Sequence, residues 1–140
     1  MSSFHLTYEV PGDDFTRAGE ASSAVKKRLK ALGYDRDAIR RVAIAMYEAE
    51  INMVIHANGG SCDVDIYPDR VDILLVDSGP GIPDVEKAMQ AGFSTAPDNV
   101  RNLGFGAGMG LPNIKKYTDE MRIDTKLGVG TKLYFSVHVK

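Results

Sequence analysis

Three polar side chains stand four residues apart in the first half of the sequence: Glu48, Asn52 and His56. On a helix, this spacing places them on one face, one turn apart. There a carboxylate can accept a proton, and a carboxamide oxygen can bind a hard cation such as Mg²⁺. A solvated helix face has the same composition, and for the stripe taken alone that interpretation is the favoured one. Glu50 points away from the stripe, and we expect it to be exposed.

A carboxylate followed by two glycines ends an apolar run in the middle of the chain. The run is 71–76, and Asp77 is followed by Gly79, Gly81 and Ile82. At a strand end, such a carboxylate can accept a hydrogen bond from an exocyclic amine such as that of adenine. The glycines let the backbone approach a flat ligand. Gly-Pro-Gly is also good turn chemistry, so a simple turn stays an open alternative.

A run of alternate glycines precedes a predicted helix in the last third of the chain. The run and its neighbours are Gly104, Gly106, Gly108, Met109, Gly110 and Leu111. Exposed backbone N–H groups and the helix N-terminus together predict an anion cradle. The run is not a P-loop, because no Gly-Lys-Ser or Gly-Lys-Thr follows, and it does not open an N-terminal βαβ unit as a Rossmann fingerprint does. A flexible linker is the weaker alternative, because the glycines abut a helix.

Apolar periodicity predicts the helices and strands that must position these groups. They are a strand at 4–10, helices at 13–32 and 35–57, strands at 62–67 and 71–76, a short helix at 84–90, a mobile loop at 91–110 leading into a helix that ends near 119, and strands at 121–125 and 131–139. Asp13 and Asp35 are the predicted helix caps, and Gly33 the predicted helix stop. The predicted fold is an α/β (α+β) two-layer sandwich, with helices on one face of a mixed, mostly antiparallel sheet.

Length and composition predict an ordinary globular protein with one domain, residues 1–140. Apolar residues make up 44% and charged residues 26% of the chain. A net charge of −2 provides no basic field for nucleic acid or an anionic membrane. A single cysteine, Cys62, excludes an internal disulfide framework and a multi-thiolate zinc site. No apolar run approaches the roughly 20 residues of a membrane span, and we see no signal peptide, so we expect a cytoplasmic protein.

The order of the motifs resembles the four motif boxes of the GHKL superfamily, whose ATP-binding domain has the Bergerat fold. The fourth box corresponds to Gly-Val-Gly-Thr at 128–131, before the last strand. The resemblance covers about residues 38–139. Within it, 77–95 and 106–115 are most similar to the RsbT-type switch-protein serine kinases, which are relatives of the anti-sigma-factor kinases RsbW and SpoIIAB. The protein-kinase fold is excluded, because its Val-Ala-Ile-Lys, His-Arg-Asp and Asp-Phe-Gly motifs are missing.

The resemblance implies roles at matching positions. Glu48 would be the catalytic base, Asn52 would bind Mg²⁺, and Asp77 would bind the adenine amine of ATP. Thr131 would line the adenine side. The other ATP-binding positions would shape the pocket and hold the phosphates: Gly79, Gly81, Ile82, Gly104, Gly106, Gly108, Met109, Gly110 and Leu111. Met53 departs from the family pattern, in which a small residue commonly follows the asparagine, and His56 is interpreted as structural.

The resemblance further implies an ATP-dependent serine/threonine kinase of a partner-switching module that phosphorylates a small STAS-type antagonist protein. Two alternatives are an anti-sigma factor that sequesters an RNA polymerase sigma subunit, and an ATP-gated interaction module without turnover. The expected partners are therefore the antagonist, with a sigma factor or a downstream phosphatase or regulator as further candidates, and neither nucleic acid nor membrane. The sheet edge and the first helix could support a homodimer.

Overall fold

Five strands and three helices make up the described part of the computed structural model, which covers residues 4–11, 19–56, 59–79 and 110–139. In chain order they are β1 (Phe4–Pro11), α1 (Glu20–Ala31), α2 (Arg36–His56), β2 (Gly59–Ile66), β3 (Arg70–Asp77), α3 (Gly110–Tyr117), β4 (Glu120–Lys126) and β5 (Gly130–His138). The helix predicted at 84–90 lies outside the described residues, and so does the loop predicted at 91–110 except for Gly110, which begins α3.

The five strands form one sheet in the order β1-β2-β3-β5-β4, and every neighbouring pair is antiparallel. The predicted hairpin of β2 and β3 is confirmed, with the Tyr67 N–H donating to the Arg70 carbonyl at 2.8 Å. The register brings the end of β3 beside the starts of β2 and β5, with Asp77 opposite Thr131. We call this end of the sheet, where β3 ends and β2 and β5 begin, the Asp77 edge. It is formed by Gly60, Asp77 and Thr131.

One face of the sheet is apolar and is covered by the helices. Side chains alternate between the two faces of a strand, so every second residue of the three central strands points into the core. These buried residues are Cys62, Val64, Ile66, Val71, Ile73, Leu75, Leu133, Phe135 and Val137. The core face of α2 is buried against them and consists of Val42, Met46, Ala49 and Met53. The predicted two-layer sandwich is confirmed.

Helix α1 is shorter than predicted at its start and ends as predicted. Gly19 precedes it with a left-handed φ of 96°, which cannot be continued as a right-handed helix, so the helix that holds Val25 and Leu29 begins at Glu20. The prediction that Asp13 caps this helix is therefore wrong, and Asp13 itself lies outside the described residues. At the other end, Gly33 has a φ of 79° and the Tyr34 N–H donates to the Leu29 carbonyl at 3.1 Å. This is a Schellman motif.

Helix α2 begins at the predicted cap. The Asp35 carboxylate accepts hydrogen bonds from the N–H groups of Asp37 at 3.1 Å and Ala38 at 3.2 Å. It therefore satisfies two of the N–H groups that the first turn leaves without helical partners. Near this end, Arg41 donates to Asp119 at 3.0 Å and to the His138 carbonyl at 2.9 Å. This arginine links α2 to the chain entering β4 and to the end of β5.

Within the ranges described above, none of the three helices combines the length and the apolarity that a membrane span requires.

Candidate functional site

Asp77 lies at the end of β3, where the sequence placed it, and one of its two carboxylate oxygens is fully engaged. Oδ1 accepts hydrogen bonds from the N–H of Gly79 at 2.9 Å and from the N–H of Thr131 at 3.2 Å. Among the described residues, Oδ2 has no hydrogen-bond partner. The half-buried carboxylate is thus held in one orientation by two adjoining segments, with one oxygen left to accept a bond from a ligand.

Two glycines let the neighbouring strands approach Asp77 closely. A Cβ on Gly60 of β2 would collide with the Val76 carbonyl oxygen, and a Cβ on Gly130 of β5 would collide with the Asp77 carbonyl oxygen. Gly130 also has a φ of 147°, in the region that favours glycine. The sequence analysis included Gly130 in the fourth box but missed Gly60, because a glycine at a strand start also suits an ordinary turn.

The same glycine accounts for the unusual methionine after Asn52. Met53 is 4% exposed. The methyl group of its side chain occupies the space that a Cβ on Gly60 would fill. The turn of α2 that carries Asn52 therefore lies against the Asp77 edge. The structure thus brings together the helix stripe and the strand-end carboxylate, which the sequence places 25 residues apart (77 − 52).

Glu48 and Asn52 are half-buried on α2, one helical turn apart. Neither side chain makes a hydrogen bond or ion pair with any other residue in the described part of the chain. A carboxylate and a carboxamide with free oxygens can take part in proton transfer and bind a hard cation. No group of three or more histidine, cysteine or acidic residues suited to a metal occurs among the described residues.

Glu50 is the clearest correction to the sequence analysis, which predicted it to be exposed. It is 2% exposed and accepts hydrogen bonds from N–H groups at the start of α1. Burial raises the pKa of the Cys62 thiol to about 12, and the charge of Glu50 adds to this shift. Spacing carried a signal for this burial, because Met46 and Val54, four residues to either side, are both buried.

The structure describes only some of the remaining residues that were predicted to bind ATP. Outside the described residues are Gly81, Ile82, Gly104, Gly106, Gly108 and Met109, and so is the side chain of His56. Gly110 begins α3, so the glycine run does lead into a helix. Leu111 is 9% exposed and packs in the hydrophobic core next to that helix start. The Thr131 hydroxyl is hydrogen-bonded to the Thr125 hydroxyl at 2.8 Å, while its N–H binds Asp77.

Comparison with known proteins gives a consistent result. Residues 13–137 match the family model described as the histidine kinase-like ATPase domain. The serine/threonine-protein kinase RsbT of Bacillus subtilis is 33% identical over 74% of this chain and 75% of its own length. The anti-sigma F factor of Clostridium beijerinckii is 32% identical over 69% of this chain and 68% of its own length.

Two solved structures share the fold. The structure of the RsbU and RsbW domains of a Mycobacterium tuberculosis protein superimposes with a TM-score of 0.66 at 16% identity, covering 98% of this chain and 33% of that chain. The SiaB–SiaC complex from Pseudomonas aeruginosa gives a TM-score of 0.65 at 14% identity, covering 94% of this chain and 88% of that chain.

Proposed function

Because the chain belongs to the family of histidine kinase-like ATPase domains, we propose that it is an ATP-dependent serine/threonine protein kinase of a partner-switching module, with a small STAS-type antagonist protein as its substrate. The relative named RsbT is a serine/threonine-protein kinase, and the SiaB–SiaC structure is of a complex. One observation carries the proposal. Asp77, whose Oδ2 has no hydrogen-bond partner among the described residues, lies at the end of β3, and the part of α2 that holds Glu48 and Asn52 packs against this end of the sheet.

Asp77 recognises the base of ATP in this proposal. Its Oδ2 accepts a hydrogen bond from the exocyclic amine of adenine, while Oδ1 stays bound to Gly79 and Thr131. Guanine carries a carbonyl oxygen in place of that amine, so an acceptor facing it would be left unpaired and repelled. A site built around a hydrogen bond to one group rejects the analogue that lacks it far more strongly than an apolar pocket can. The site is therefore selective for adenine nucleotides.

Asn52 provides the oxygen for Mg²⁺, and its carboxamide has no partner among the described residues that would compete. Mg²⁺ supplies positive charge to the phosphoryl oxygens when it is bound. Gly79 and Gly81 shape the pocket next to Asp77, and the glycines at 104, 106, 108 and 110 hold the phosphates through backbone N–H groups, with Ile82, Met109 and Leu111 shaping the pocket around them. Thr131 lines the adenine side next to Asp77.

Glu48 acts on the acceptor hydroxyl. As a serine or threonine oxygen of the antagonist bonds to the γ-phosphorus, the bond from that phosphorus to the bridging oxygen of ADP breaks. Glu48 takes the proton that the hydroxyl loses, and ADP leaves with the bridging oxygen. A carboxylate suits this role only when no neighbouring cation holds it, and Glu48 has no ion-pair partner in the part of the chain that the structure describes. The module operates in the cytoplasm, where ATP is available.

Two experiments test the proposal in sequence. Thermal unfolding with ATP, ADP and GTP, each with and without Mg²⁺, is expected to show stabilisation by the adenine nucleotides only, because a ligand that binds the folded state raises the midpoint. Intact-mass spectrometry of a purified STAS-domain protein incubated with the chain and Mg·ATP is then expected to show the mass of one added phosphoryl group. No stabilisation at saturating ATP would contradict the site, and stabilisation without transfer to any STAS protein would contradict the substrate.

A second function is favoured by the relative from Clostridium beijerinckii, which is named an anti-sigma F factor. In that case the chain would hold a sigma subunit of RNA polymerase and release it when the antagonist binds. Co-elution with a purified sigma subunit in the presence of ATP distinguishes this function from that of a kinase acting on the antagonist alone. An ATP-gated module without turnover would show partner exchange that the Glu48→Ala substitution leaves unchanged.

A further inference from the structure

Glu50 joins the start of α1 to the turn of α2 that carries Glu48 and Asn52. Its Oε2 accepts hydrogen bonds from the N–H groups of Gly19 at 3.1 Å and Ala21 at 3.2 Å, and its Oε1 accepts one from Ser22 at 2.6 Å. These donors belong to the first turn of α1, which has no helical partners for them. Both oxygens of a buried carboxylate are therefore bound to another helix.

Helix stability alone does not explain this arrangement. A carboxylate at the N-cap position, as Asp35 provides for α2, satisfies the same N–H groups without burying a charge. At the corresponding position of α1, the chain has Gly19, which has no capping side chain. A buried carboxylate is unfavourable unless it is fully hydrogen-bonded, and three N–H donors and the helix dipole meet that condition. What Glu50 adds beyond a local cap is a fixed connection between two helices.

The connection has a second point of contact on the same turn. A Cβ on Gly19 would lie 3.0 Å from Cε1 of Tyr47, so the start of α1 lies directly against that ring. Tyr47 precedes Glu48, and Glu50 follows it two residues later. The start of α1 therefore touches α2 through residues on both sides of Glu48 in the sequence. Two contacts of this kind restrict rotation of α2 about its own axis as well as movement along it.

We propose that Glu50 is a positioning residue for phosphoryl transfer, which fixes the directions in which Glu48 and Asn52 point by holding α2 to the start of α1. The inference rests on the proposed roles of Glu48 and Asn52. A rotation of about 20° displaces a group about 6 Å from a helix axis by about 2 Å. Since a misplacement of about 1 Å can reduce turnover about 100-fold, a link that prevents this rotation has a direct kinetic effect.

The test compares Glu50→Gln with Asp35→Ala. Each substitution removes a carboxylate that caps a helix, but Asp35 caps α2 at its far end and joins no second helix. A glutamine at position 50 keeps the size of the side chain, but its amide NH₂ faces N–H donors with which it cannot bond. Turnover is measured as ADP formed from Mg·ATP with the STAS-domain protein as the acceptor, at temperatures at which all proteins are folded. Affinity for ATP is measured by calorimetry with and without Mg²⁺.

Both variants are expected to unfold at lower temperature than the wild type, but only Glu50→Gln is expected to lower kcat, by at least about 10-fold. Its affinity for Mg²⁺-free ATP, which depends on Asp77, is expected to stay within about twofold of wild type. Unchanged kcat in Glu50→Gln, or an equal fall in Asp35→Ala, would overturn the inference. If Glu50→Gln does not fold, Gly19→Ala disturbs the same junction from the side of α1, and unchanged kcat in that variant would likewise overturn it.

Failure of the proposed function gives a different result from failure of the inference. If the wild-type protein binds Mg·ATP but forms no ADP with the STAS-domain acceptor, the proposed kinase function is contradicted. The role of Glu50 is then tested by the effect of Mg²⁺ on ATP affinity alone. Because Asn52 is proposed to bind Mg²⁺, Glu50→Gln is expected to reduce at least fivefold the gain in ATP affinity that Mg²⁺ gives the wild type. If Glu50→Gln shows the same gain in ATP affinity from Mg²⁺ as the wild type, the positioning role is overturned. The control variant Asp35→Ala is expected to show the wild-type gain.

Discussion

The backbone N–H of Thr131 donates to Oδ1 of Asp77 at 3.2 Å, across the ladder between β5 and β3. This bond decides which oxygen of the carboxylate is free. With Gly79 bound to the same oxygen at 2.9 Å, Oδ2 is the atom that has no hydrogen-bond partner in the part of the chain that the structure describes. A turn interpretation of the segment after β3 explains the bond to Gly79 but not the bond from the neighbouring strand. The orientation of Asp77 is therefore a property of the sheet as well as of the turn.

Asp77→Asn is expected to abolish detectable binding of ATP or weaken it at least 10- to 100-fold. An asparagine can still accept the bonds from Gly79 and Thr131, but it then turns its NH₂ group toward the amine of adenine, and the charge-assisted bond is lost. Isothermal titration calorimetry with ATP measures the change. Asp72→Asn is the matched control, since Asp72 lies at the other end of β3 and binds Arg70 and Ser136. Normal ATP binding by Asp77→Asn would show that the adenine site lies elsewhere.

Glu48→Ala is expected to leave the dissociation constant of Mg·ATP within about threefold and to reduce phosphoryl transfer at least 100-fold. The reason is that a general base acts on the acceptor hydroxyl and contributes typically 10²–10⁴-fold to rate. Calorimetry and the mass of the STAS-domain acceptor give the two quantities. Asp37→Ala, which removes an exposed carboxylate from the same helix, should change neither. Full transfer by the Glu48→Ala protein would assign the base to another residue.

Arg41→Ala is expected to reduce the free energy of unfolding by about 1–2 kcal/mol, because the guanidinium holds three partners from different parts of the chain. They are the Asp37 carboxylate, the Asp119 carboxylate and the His138 carbonyl. Urea denaturation followed by circular dichroism measures the loss. The control is Arg40→Ala, since the exposed Arg40 pairs with Asp37 and lies over the Tyr117 ring but makes no hydrogen bond or ion pair to β4 or β5 among the described residues. If both substitutions lowered the free energy of unfolding equally, the link from α2 to β4 and β5 would contribute nothing to stability.

His5 is expected to make the stability of the folded protein depend on pH. The hydrogen bond with Asp65 at 2.7 Å, together with the charge of that residue, raises the pKa of His5 above its ordinary value of 6.5. Protonation is thus favoured in the folded state. The stabilisation is fully present below the unfolded pKa and is lost as pH rises through the higher folded pKa. Because His5 is exposed, the effect is small.

Urea unfolding of the wild type and of His5→Gln is measured at pH 5.5 and at pH 8.5. The quantity compared is the midpoint urea concentration of the wild type minus that of the variant. The difference is expected to be positive at the lower pH and to shrink at the higher pH. Asp65→Asn should reduce the pH dependence, because it removes the nearer of the two carboxylates that pair with the imidazolium and leaves Asp63 at 3.6 Å. A difference that grows with pH would contradict the assigned direction of the shift.

The sequence alone determined most of the architecture, because the fold rests on periodicity and on local backbone chemistry. Alternating apolar residues defined β3 and β5, and helical spacing defined the core face of α2. Asp35 and Gly33 marked their helix ends through interactions that span only a few residues. The start of α1 was predicted wrongly, since its first N–H groups are capped by Glu50 on another helix rather than by a nearby side chain.

For the candidate site, the sequence determined which residues have the right chemistry, and the tertiary structure decided how they are arranged. Spacing placed Glu48 and Asn52 on one face of α2, and Asp77 after an apolar strand. Their roles as base, Mg²⁺ ligand and adenine acceptor stay predictions that the substitutions above test. Only the folded chain showed that Gly60 makes room for Met53 beside Asp77, and that Glu50 is buried. These features depend on contacts between segments distant in sequence, and local periodicity and turn chemistry carry no information about which distant segments meet.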